Sequence, residues 1–104
     1  MLKRNPNRKP SLPGEILQEL FLKDRGITIK AFAEAVGCTP KHMSNVIHGK
    51  ARIEAELATR IAAVLGTTEQ IWLNLQNTTD LWKAHQKMKG WKPARTFHPA
   101  PAHT

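Results

Sequence analysis

An all-α fold, a compact bundle of five helices, follows from three observations on this 104-residue sequence. Apolar side chains recur at steps of three and four, the period of a helix with one buried face. Gly26, Gly37, Gly49 and Gly66 cut the apolar body into helix-sized pieces. No stretch alternates with the period of two that a half-buried strand requires.

Residues 1–11 open the chain with Pro6, Pro10, two asparagines and four cations, a composition that predicts a basic, disordered arm. The globular part is expected over residues 12–89. Its first helix starts near Pro13, since proline suits a first turn and Glu15 complements the helix dipole. Ile16, Leu17, Leu20 and Phe21 are expected inward, and Gly26 ends the element. Thr28 is placed to cap a second helix, with Ile29, Phe32, Ala33 and Val36 on its apolar face. Gly37 then provides the positive φ of a tight helix-to-helix turn. Thr39 caps the third helix, Pro40 fits its first turn, and Met43, Val46 and Ile47 face in. After a loop around Lys50–Arg52, a fourth helix buries Leu57, Ala58, Ile61, Ala62 and Leu65. Thr67 or Thr68 caps a fifth, which carries Ile71, Trp72 and Leu75 and, further on, Leu81 and Trp82. Residues 90–104, with three prolines and no apolar period, are expected to be a disordered tail.

The formal net charge of +8 points to a polyanionic partner, and its distribution says more than its total. Lys3, Arg4, Arg8 and Lys9 lie in residues 1–10, and Lys83, Lys87, Lys89, Lys92 and Arg95 in residues 83–104, with no acid in either stretch. Residues 11–82 hold seven basic residues against all eight acids, so the body is nearly neutral. Within it, Lys41, Lys50 and Arg52 cluster on the third helix and the loop after it, with no acid between Glu34 and Glu54.

On that helix, Lys41, His42, Ser44, Asn45 and His48 cover the arc opposite the apolar face. Asn45 is suited to a bidentate contact with adenine, and Lys41 to donation to guanine. Thr39, Ser44, Lys50 and Arg52 suit phosphate oxygens, and His42 and His48 either role. The element therefore reads as the recognition helix of a DNA-binding helix-turn-helix.

Other chemistries find no support in the sequence. One cysteine, Cys38, excludes an intramolecular disulfide and a cysteine-rich zinc site, and it reads as a small buried hydrophobe. His42 and His48 lie about 240° apart around a helix, and no histidine pair has the i, i+4 spacing of a helical zinc site. No nucleophile motif or glycine-rich phosphate loop is present, so neither an enzyme nor a cofactor or metal is expected. No apolar run approaches about 18 residues and no signal-peptide pattern occurs, which predicts a cytoplasmic protein without membrane contact. Trp72 is expected in the core, and Trp82 is a candidate for a subunit or partner contact.

Several segments together resemble the HigA/VapI antitoxins of the XRE (Cro/cI-like) helix-turn-helix group. They are Pro13-Gly14-Glu15-Ile16-Leu17, Phe32-Ala33, Gly37-Cys38-Thr39, Ser44, Gly49-Lys50, Ala58-Thr59-Arg60-Ile61-Ala62, Trp72-Leu73-Asn74-Leu75-Gln76 and Asp80-Leu81. The resemblance covers roughly residues 12–82. The chain departs from it at Leu12, at Ile53-Glu54 before the fourth helix, and at Ile71 and Thr79. It implies a lambda-repressor-like helix-turn-helix that represses its own toxin–antitoxin operon. It also implies neutralisation of a HigB-like mRNA endonuclease. The expected partners are the toxin, a second copy of the chain, and an operator arranged as an inverted repeat. The exposed face of the first two helices and either basic end are the candidate toxin-binding surfaces. The alternatives are a stand-alone XRE-type repressor without a toxin, and a protein-interaction adaptor whose helix-turn-helix is only structural.

Overall fold

The computed structural model describes residues 8–98. Among these the secondary structure is entirely helical, in five helices: α1, which begins at Pro13–Ile16 and continues over Leu17–Leu22, α2 (Ile29–Val36), α3 (Pro40–Ile47), α4 (Ala55–Leu65) and α5 (Glu69–Lys87). None is long and apolar enough to cross a membrane.

The helix starts are local chemistry. Thr28, Thr39 and Thr68 each sit in extended backbone and accept a hydrogen bond from the N–H three residues on, at 3.0, 3.0 and 3.4 Å. Each satisfies one of the N–H groups that a helix start leaves without a partner. Thr67 has a different task, accepting the indole N–H of Trp72 at 2.8 Å. Glu54 precedes α4 in extended backbone without a side-chain cap. In α1, Glu15 reaches back to accept the N–H of Leu12 at 2.8 Å.

One core unites the helices: Leu17 and Leu22 of α1, Phe32, Ala33 and Val36 of α2, Met43, Val46 and Ile47 of α3, Ile53 of the loop, Ala58, Ile61, Ala62 and Leu65 of α4, and Trp72 of α5. Trp72 is fully buried and meets the ring of Phe21 edge-on at 5.2 Å. The α1–α3 contact depends on Gly14. A Cβ there would lie 2.3 Å from the carbonyl oxygen of Val46 and 2.5 Å from Cα of Ile47, so only glycine lets the two backbones approach this closely.

The structure corrects the expected faces at four points. Leu20, expected inward, is 61% exposed. The second part of α1 is π-helical, with Lys23 N–H bonded to the carbonyl of Gln18. The wider turn buries Leu17 and Leu22, five residues apart, and swings Leu20 outward. On α5, Ile71 and Leu81 are 43% and 51% exposed because Trp72, Gln76 and Thr79 form the buried stripe of the helix. Cys38 is half-buried rather than buried. Pro10, counted with the arm, is buried. Residues 1–7 of that arm and the end of the expected tail, residues 99–104, lie outside the described residues. Residues 91–98 are exposed and carry no helix or strand.

Candidate nucleic-acid interface

The helix-turn-helix is built from α2, the turn at Gly37-Cys38 and α3. Gly37 adopts φ 81°, and its N–H and that of Cys38 return to the carbonyl of Ala33 at 2.9 and 3.0 Å, which closes α2. A second clamp comes from α4. Arg60 donates through Nη1 to the carbonyl of Val36 at 3.2 Å, while its Nη2 pairs with Glu56 at 2.8 Å. The turn is thus held by an arginine from a different helix. Burial pushes the Cys38 thiol up, against the opposing charge of Arg60, a shift that disfavours its thiolate.

The expected site residues come together on α3 and the loop behind it. Thr39, Lys41, His42, His48 and Lys50 are exposed, and Ser44 and Asn45 are half-exposed. Thr39 uses its oxygen as an acceptor for the cap and keeps its hydroxyl proton for another acceptor. His48 folds back on its own helix, with Nδ1 2.8 Å from the carbonyl of Ser44 and 3.2 Å from its Oγ. Asn45 has a backbone task as well: its carbonyl accepts the N–H groups of Lys50 and Ala51 at 2.8 and 3.1 Å, which turns the chain sharply after α3.

Arg52 is placed differently from the others. Its guanidinium grips the Asp80 carboxylate of α5 in a bidentate pair, Nη1 to Oδ1 at 3.0 Å and Nη2 to Oδ2 at 2.6 Å. Glu54 lies 4.0 Å from its Nε. The hydrogen bond from Arg52 is the main cause that holds the Asp80 carboxyl below the usual range, with help from Gln76 and from the charges of Arg52 and Lys83 against the opposing effect of burial. Gln76 is buried and links the pair to the loop. Its Nε2 donates to Asp80 at 3.1 Å, and its Oε1 accepts the N–H of Ile53 at 2.8 Å. The loop behind α3 is therefore pinned to α5 by the chain Ile53–Gln76–Asp80–Arg52.

Sequence reasoning did not find Arg60, Gln76 or Asp80 as positioning residues. Glu56 and Arg60 carry a readable i, i+4 signal, but nothing local says that Arg60 also reaches the turn. Gln76 and Asp80 are likewise one turn apart on α5, while their partners lie more than twenty residues away.

The comparisons with known proteins agree with this geometry. The helix-turn-helix family model matches residues 17–72. Antitoxin HigA-1 of Vibrio cholerae is 42% identical over 84 residues, 81% of this chain and 79% of that protein. An HTH-type transcriptional regulator of Haemophilus influenzae, itself uncharacterized, is 37% identical over 88% of this chain and 91% of its own length. The solved structure of antitoxin GraA in complex with its operator is similar at a TM-score of 0.75 and 32% identity, covering 92% of this chain and all of that one. The fold and the family define a class of DNA-binding regulators rather than of enzymes. The chain belongs to the XRE-type helix-turn-helix family and, within it, to the HigA/VapI antitoxins.

Proposed function

We propose that this chain binds the operator of its own toxin–antitoxin operon as a homodimer on an inverted repeat, and that it neutralises a HigB-like mRNA endonuclease. The observation that carries the DNA reading is the polar face of α3, capped at Thr39 and held by the Gly37 turn and the Arg60 clamp. A rigid helix of this kind presents short polar and cationic groups to the major groove. In that docking Asn45 reads adenine and Lys41 reads guanine. Thr39, Ser44 and Lys50 take phosphate oxygens, with His42 and His48 flanking them. Arg52 acts chiefly through the loop, since its guanidinium is held by Asp80. The likeness to a GraA chain solved on its operator and the identity to HigA-1 support the reading.

Asn45→Ala and Lys41→Ala are each expected to cost about 1–3 kcal/mol of operator affinity and to relax base preference. A gel-shift titration with both variants checks this, and unchanged affinity and selectivity would sink the assignment of α3. Co-purification of a small toxin with the chain, expressed from its native operon, tests the antitoxin half. The Haemophilus relative is named only as a transcriptional regulator, which suits equally a second reading as a repressor without a toxin. A promoter-binding chain that purifies alone would select it.

A further inference from the structure

The two basic ends of the chain are far apart in sequence, yet the fold brings their roots to one place. Leu12, where the N-terminal stretch meets α1, and Lys83 of α5 line the same cleft as His42 of α3 and Lys50 of the following loop, a volume of about 440 Å³. Arg8 and Lys9 are exposed just before Leu12, and Lys87, Lys89, Lys92 and Arg95 are exposed after Lys83, with no acid beyond Asp80.

The charges in the cleft are not equivalent. Arg52 is compensated by Asp80 and by Glu54, the acid that also faces the cleft. Among the described residues neither Lys50 nor Lys83 is within ion-pair distance of a carboxylate. Two ammonium groups from different elements, neither in a direct ion pair and Lys83 sensing Asp80 only at longer range, therefore share a concave site beside the recognition helix. Such a site suits a single anionic oxygen group on a polymer that also lies along α3.

We infer that Lys83, outside the helix-turn-helix, belongs to the DNA interface: with Lys50 it takes a backbone phosphate next to the bases facing α3. This rests on the DNA reading above and adds a contact that supplies affinity without sequence information.

The test uses the full chain in anisotropy titrations over a range of potassium chloride. The two probes are a duplex spanning the promoter upstream of its own operon and a scrambled duplex of equal composition. Lys83→Gln is expected to lower the slope of log affinity against log salt by about 0.9, the value of one phosphate contact. It should weaken both duplexes by the same factor, leaving discrimination unchanged. Lys23→Gln serves as the control. Its ammonium, just past the end of α1, is paired with Glu19 at 2.7 Å, so the slope should not move. An unchanged slope for Lys83→Gln, or a loss confined to the promoter duplex, overturns the inference. If the unaltered chain fails to discriminate the duplexes, the DNA reading itself fails. Discrimination by the unaltered chain with no effect of Lys83→Gln overturns the phosphate contact alone.

Discussion

The recognition helix and the last helix are held in place by opposite means. Both start at a threonine cap, Thr39 and Thr68, but within eight residues α3 buries Met43, Val46 and Ile47. Over nineteen residues α5 buries only Trp72, Gln76 and Thr79, of which two are polar. The first is held mainly by its own residues and the turn beside it. The second rests on one fully buried aromatic, with Leu73 and Leu75 partly buried against the same core, and on a polar tie to the loop behind α3. A reading element must be rigid at the scale of a hydrogen bond, which caps and a dense apolar face provide. A long helix that steadies a loop needs only a few fixed points, and the rest of its surface stays available.

That contrast is open to attack at each fixed point. Trp72→Ala removes the apolar anchor of α5 and should cost about 4 kcal/mol, as large-to-small changes of buried aromatics do. Chemical denaturation measures it, and a cost near zero would show that α5 is not anchored there. Gln76→Leu keeps the volume but strands the buried N–H of Ile53, with an expected cost of about 2 kcal/mol. Faster amide exchange at Ile53 would locate the damage in the loop. Thr39→Ala removes only a cap and should cost about 1 kcal/mol. A larger loss than that of Gln76→Leu would reverse the comparison.

The smallest effect concerns acid. The carboxyl of Asp80 titrates below its unfolded value in the folded chain. Its contribution to stability is therefore complete above the ordinary carboxylate pKa, about 3.9, and is lost as pH falls through the lower folded value. Arg52 is half exposed, so solvent screening limits the pair to about 1 kcal/mol or less. Asp80→Asn should flatten the acid limb of a stability–pH profile by that amount and leave the neutral plateau otherwise similar in shape. A wild-type and a variant limb that coincide would remove Asp80 from the tie.

Much of the fold was readable because it is written in short-range chemistry. Thr28 and Thr39, the Gly37 turn and the apolar faces of α2, α3 and α4 all act within a few residues of themselves. The outward set on α3 was readable for the same reason, since helical geometry alone separates Lys41, His42, Ser44 and Asn45 from Met43 and Val46. Leu20 was misplaced because a π-helical turn changes the period on which the reading depends. Ile71 was misplaced because hydrophobicity does not say which of two neighbouring faces of α5 meets the core. Arg52 looked like a free cation because its partner, Asp80, lies 28 residues along the chain.

The sequence by itself determined the helices, their caps, the turn and the polar face of α3, since each depends on backbone conformation and on neighbours one or two turns away. Tertiary structure alone decided that Gly14 admits α1 against α3 and that Arg60 clamps the turn. It also decided that Gln76 and Asp80 pin the loop and that the roots of the two basic ends meet in one cleft. The reason is physical. A cap or an apolar period is a property of adjacent residues, whereas a hydrogen bond or a shared cleft between distant residues exists only once packing has chosen which surfaces touch.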